Sequence, residues 1–94
     1  MQFEQSDPWV LLAVILAQRP VDRPGIVAAG DCLNHAVMTA RELDGGLRRL
    51  AAAGYVVDTR SGVVLGPSGE EFMARLTPGK RSRWDAAKRE LGVH

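Results

Sequence analysis

Few residues in this chain have types and spacings that could do chemistry. Arg41 and Arg48 stand seven apart with Arg49 beside the second. On a helix the first two share one side, and their planar guanidinium forks could hold a guanine edge or a phosphate. Cys32 and His35 have a chelating spacing, and Asp31 lies one helical turn before His35. A zinc site wants about four ligands, and the one other histidine is His94, so a surface pair between Asp31 and His35 is expected, and no metal. Cys32 is the single cysteine, and nothing near it in sequence except His35 would activate its thiol, so a packed or idle thiol is expected. Ser68, within Gly66-Pro67-Ser68-Gly69, superficially resembles a nucleophile elbow, but that turn belongs to a much larger sheet. The sequence has no glycine-rich phosphate loop and no nucleophile beside a plausible base. Neither enzymatic activity nor a cofactor is expected.

The elements that must position these residues follow from periodicity. A chain of 94 residues, 46% hydrophobic and 24% charged, suits a single small domain, residues 1–94. Ser6-Asp7-Pro8 reads as a helix start, with a first helix over 7–18 that is apolar on nearly every side. Such a helix must be covered by other elements or by a second chain. Asp22 caps a second helix with Pro24 in its first turn that runs to about Asn34 or His35, and Ile26, Ala29, Gly30, Leu33 and, if the helix continues, Val37 form its core face. Thr39-Ala40-Arg41-Glu42 is a capping box that opens a third helix with Leu43, Leu47 and Leu50 inward and Gly54 as its stop. Gly45 and Gly46 inside it imply close backbone packing or fraying. Tyr55-Val56-Val57 and Val63-Val64-Leu65, joined through Asp58 to Gly62, form a hairpin. A fourth helix runs from Glu70 to Leu76, and Ser82 caps a fifth over 83–91 that carries Trp84, Ala87, Lys88 and Leu91 along one side.

The charge is unevenly spread. Twelve basic and eleven acidic residues give +1, yet residues 1–47 carry −3 and residues 48–94 carry +4. Ten of the twelve basic residues are arginine, which suits phosphate recognition but equally reflects an Ala- and Gly-rich composition. The cluster Lys80-Arg81-Ser82-Arg83 reads as a solvated linker ahead of the last helix. The longest apolar run, Trp9 to Ala17, is nine residues against the roughly 20 a spanning helix needs, so no membrane association is expected. With no basic signal-like start and one cysteine, a cytoplasmic location is expected.

The order helix, helix, helix, hairpin, helix is that of a winged helix-turn-helix, a mainly α (α+β) fold of three helices, a two-stranded wing and two further helices. The helix-turn-helix covers 22–54, the wing 55–65 and the C-terminal helices 67–91. Leu47-Arg48-Arg49-Leu50-Ala51-Ala52-Ala53-Gly54-Tyr55-Val56 resembles the end of the recognition helix in MarR-like and PadR-like transcriptional regulators. Leu65-Gly66-Pro67-Ser68-Gly69-Glu70-Glu71-Phe72 resembles the strand-to-helix segment after their wing. The likeness covers about residues 22–76, with about five extra residues around Asp31 to Met38 and Gly66 where those regulators often have threonine.

The resemblance implies a dimer on double-stranded DNA, with the third helix in the major groove and the wing near the minor groove. Its DNA-facing residues would be Arg41, Gly45, Arg48, Arg49, Ala52 and Arg60. A homodimer interface is expected from residues 7–18 and 83–91, through Trp9, Leu12, Leu16, Trp84 and Leu91. The other reading is a winged-helix protein-interaction module, suggested by Glu42 and Asp44 among the arginines and by the apolar first helix.

Overall fold

A computed structural model describes residues 2–94. The elements are α1 (Asp7–Leu16), α2 (Arg23–Asn34), α3 (Ala40–Ala52), β1 (Val56–Thr59), β2 (Gly62–Leu65), α4 (Pro67–Arg75) and α5 (Lys80–Leu91). The fold is mainly helical α+β, with five helices and one antiparallel hairpin. No helix among the described residues is long and apolar enough to cross a membrane.

The apolar α1 is the central rod, packed by α2, α3 and α5. Val10, Leu11, Leu12, Ala13 and Val14 are all buried, so the chain itself covers what an all-round apolar helix exposes. Of the two covers expected for such a helix, other elements or a second chain, α2, α3 and α5 supply most of it here. Trp9, Leu12 and Leu91, expected at a dimer interface, are buried within the chain, whereas Leu16 remains half exposed and Trp84 partly so. Two glycines let neighbouring helices approach α1. A Cβ on Gly46 would lie 2.8 Å from Val10 Cγ2, and one on Gly30 would lie 3.2 Å from Trp9 Nε1. The Trp9 indole N–H donates to the Gly30 carbonyl at 2.9 Å, which satisfies its buried polar atom.

Several boundaries differ from expectation for local reasons. α1 stops at Leu16 rather than residue 18, because Ala17 turns extended and Arg19 Nη1 takes up the carbonyls of Val14, Ile15 and Ala17 (3.0, 2.5 and 3.3 Å). Ser6 occupies the N-cap position of α1, but its side chain makes no capping bond. α2, by contrast, follows expectation: it keeps its Asp22 cap, with Gly25 N–H donating at 2.9 Å, and ends at Asn34 because His35 adopts the left-handed conformation (φ 50°). Val37 therefore falls in the connection and is 75% exposed, and Met38 supplies the core contact instead. Of the segment Asp31 to Met38, the first four residues end α2 and the rest form a short loop anchored by Met38.

α4 begins at Pro67, three residues earlier than expected, with Gly66 as N-cap. A Cβ on Gly66 would sit 2.4 Å from the Gly54 carbonyl oxygen, and one on Gly69 would sit 2.1 Å from that of Tyr55. The first turn of α4 lies directly on the backbone that ends α3. Gly66 N–H donates to Tyr55 O (2.9 Å) and Ser68 N–H to Gly54 O (3.1 Å). α5 starts at Lys80 behind Gly79 (φ 115°), so Ser82 lies inside the helix instead of capping it.

The hairpin pairs Val56 with Leu65, Val57 with Val64, Asp58 with Val63 and Thr59 with Gly62. Its inward residues Val56, Val63 and Leu65 are buried. Val21, between α1 and α2, exchanges both backbone hydrogen bonds with Val63 (3.0 and 2.7 Å), which pins the hairpin to the helical core. Gly62 (φ 132°) is needed there, since a Cβ would meet the Val21 carbonyl at 2.9 Å.

Candidate nucleic-acid interface

The capping box forms as expected. Thr39 Oγ1 accepts from Glu42 N–H (3.1 Å), and Glu42 Oε1 accepts from Thr39 N–H (2.9 Å). Leu43, Leu47 and Leu50 face the core. The opposite side of α3 presents Arg41, Asp44, Arg48 and Ala52 to solvent. Arg41 and Arg48, seven residues apart, are separated by about 10.5 Å along the helix axis. Arg60 is exposed in the hairpin turn. None of Arg41, Arg48 and Arg60 forms an ion pair among the described residues.

Arg49, expected on the same surface, is largely committed elsewhere. Its Nε and Nη2 donate to Asp7 Oδ2 and Oδ1 at 2.7 and 2.9 Å, a bidentate pair joining α3 to the first turn of α1. The Asp7 side chain is fully buried (0% exposed) and the Arg49 side chain 18% exposed. Asp7 Oδ2 also accepts from Glu4 N–H at 2.8 Å. The pair holds the Arg49 guanidinium above its ordinary pKa, chiefly through the hydrogen bonds to Asp7. Only Nη1 is left outside that pair, and it lies 3.4 Å from Glu4 Oε2. Gly45 is buried rather than open: the Arg49 guanidinium lies over it, with Nη2 3.1 Å from where a Cβ would be.

Two acids beside this surface, Asp44 and Asp58, are also engaged. Arg23 Nε donates to Asp44 Oδ1 at 2.9 Å, and its Nη1 lies 3.9 Å from Asp58 Oδ2, linking α2, α3 and the hairpin. Both contacts are solvent-exposed and contribute little to stability, but they put a cation between the two carboxylates.

Sequence reasoning placed Arg49 on the outer face and missed its partner, 42 residues away. The signal was an aspartate at the start of a helix otherwise apolar all round, since a buried carboxylate demands a buried cation. Cys32 and His35 are exposed on and just after α2. Among the described residues no group of three His, Cys, Asp or Glu side chains comes together around a metal-sized space. Neither protein-family models, nor curated proteins, nor solved structures give a match to this chain.

Proposed function

We propose that this chain is a winged helix-turn-helix protein that binds double-stranded DNA, of the kind found in MarR-like and PadR-like transcriptional regulators. In this reading α3 enters the major groove, the β1–β2 hairpin is the wing, and a cytoplasmic location follows. The observation that carries it is the outer side of α3, where Arg41 and Arg48 are exposed and unpaired among the described residues. Their separation of about 10.5 Å spans roughly three base-pair steps, and the small Ala52 lets the helix end approach closely. Arg60 then meets the neighbouring backbone from the wing.

The two resembling segments fall at the junctions α3 to β1 and β2 to α4. The glycine at position 66, unusual for those regulators, has a local reason, since any side chain there would strike the Gly54 carbonyl. The decisive experiment is fluorescence anisotropy on mixed genomic duplex over a salt series. Binding should weaken steeply with salt, and Arg41→Ala with Arg48→Ala should lower affinity by about tenfold or more and flatten the salt slope. A wild-type protein that forms no salt-sensitive complex overturns the reading.

One observation favours a protein-interaction module instead: Glu42 and Asp44 leave the α3 surface mixed in charge. Such a module would bind a protein partner with no steep salt dependence and without loss in the double arginine variant.

A further inference from the structure

Between the N-terminal segment and α3 lies a notch of about 370 Å³ lined by both chains of charge, Arg41, Arg48 and Arg49 on one side and Glu4, Glu42 and Asp44 on the other. Two of the three acids are already occupied. Asp44 is held by Arg23, and Glu42 Oε1 serves the capping box. Glu4 is different. Its carboxylate is 69% exposed and meets Arg49 Nη1 at 3.4 Å, an ion-pair separation without a hydrogen bond. Arg49 cannot turn away, because Asp7 fixes its other two nitrogens. A charged donor is therefore held in position at the edge of the notch with a loosely bound carboxylate as its only outward partner among the described residues. Gly45 adds no side chain that would fill the space.

We infer that this notch is a phosphate site, in which Arg49 Nη1 holds an anionic group, Arg41 and Arg48 line the notch around it, and the Glu4 carboxylate holds the place in the free protein. The chemistry is that of an oxyanion replacing a carboxylate on a guanidinium already oriented by a buried partner. Because Asp7 orients Arg49, forming the contact costs little side-chain ordering. Displacing Glu4 requires only rotation of an exposed side chain, since its backbone stays tied through Glu4 N–H to Asp7 and Asp7 N–H to Glu4 O. The source of the phosphate rests on the DNA reading and is a duplex backbone phosphodiester, with a free phosphate compound as the other source of the same group. Arg49 thereby returns to the interface as a phosphate contact rather than a base reader.

The test compares full-length wild type, Glu4→Gln and Glu71→Gln, the last removing one exposed charge from α4 as a control. Anisotropy on mixed genomic duplex at low salt should show Glu4→Gln binding about three- to tenfold tighter than wild type, with the gain shrinking as salt rises, and Glu71→Gln within about twofold. If duplex is bound but Glu4→Gln matches Glu71→Gln, the inference is overturned while the DNA reading stands. If no variant binds duplex, the DNA reading fails and pyrophosphate titration decides. Shifts of the Gly45 amide and Arg49 Nε–H signals that saturate earlier in Glu4→Gln keep the site with free phosphate as its source. No shift up to about 10 mM overturns it.

Discussion

At the scale of single residues, the Asp7–Arg49 pair is the contact on which most depends. A fully buried carboxylate is tolerated because it accepts two guanidinium bonds and one backbone N–H. Asp7→Ala leaves a mostly buried guanidinium with only the exposed Glu4 carboxylate beside it and should cost about 3–5 kcal/mol, read as a lower urea midpoint. An unchanged midpoint would contradict the pairing. Tyr55, the one tyrosine, gives a pH prediction. Its hydroxyl donates to Glu90 Oε2 at 2.7 Å, and burial, then that bond, push its pKa up to about 12 from 10.0. The folded pKa lies above the unfolded one, so the contribution is fully present below pH 10.0 and is lost as pH rises toward about 12. Ultraviolet titration should show the phenol ionising later in native protein than in urea, with Glu90→Gln narrowing the gap. A native curve that overlays the urea curve would rule out the contact.

At the scale of elements, the junction of α3, the hairpin and α4 is set by backbone proximity. Gly69→Ala drives a methyl into the Tyr55 carbonyl, 2.1 Å away, where both partners are backbone and neither can yield locally. The expected loss is about 3 kcal/mol or more by thermal unfolding. Gly45→Ala is the informative contrast, because its methyl meets the Arg49 guanidinium at 3.1 Å, a far smaller overlap than 2.1 Å against backbone, while gaining about 1 kcal/mol of helix propensity. It should change stability far less than Gly69→Ala, and equal losses would show that helix propensity rather than close approach governs these positions.

For the whole molecule, the central question is what covers α1. Helices α2, α3 and α5 bury most of its apolar side chains within one chain, leaving Leu16 half exposed. The urea midpoint should therefore be the same at about 1 and 100 μM protein, whereas an obligate dimer would show a midpoint rising with concentration. Stability for a domain of this size is of order 5–15 kcal/mol, so loss of the Asp7 or Gly69 contact removes a large share of it. The charge asymmetry acts at the same scale in one contact: Asp7 of the acidic half engages Arg49 of the basic half, while Arg23 and Asp44 pair within the acidic half and Arg41 and Arg48 stay outward.

What the sequence determined by itself was local. The capping box at Thr39, the leucine stripe of α3, the Asp22 cap and the presence of a hairpin after Gly54 all depend on residues within a few positions of one another, and period and cap chemistry announce them, whereas the hairpin register, with Asp58 opposite Val63, was not read there. Much of the arginine surface was legible for the same reason, since Arg41 and Arg48 follow from the leucines opposite. Tertiary structure alone decided which arginine was spent inside, that Trp9, Leu12 and Leu91 serve this chain's own core, and that α4 begins on the backbone of Gly54 and Tyr55. Those outcomes depend on groups tens of residues apart meeting in space, where desolvation and steric exclusion act and no short-range pattern records them.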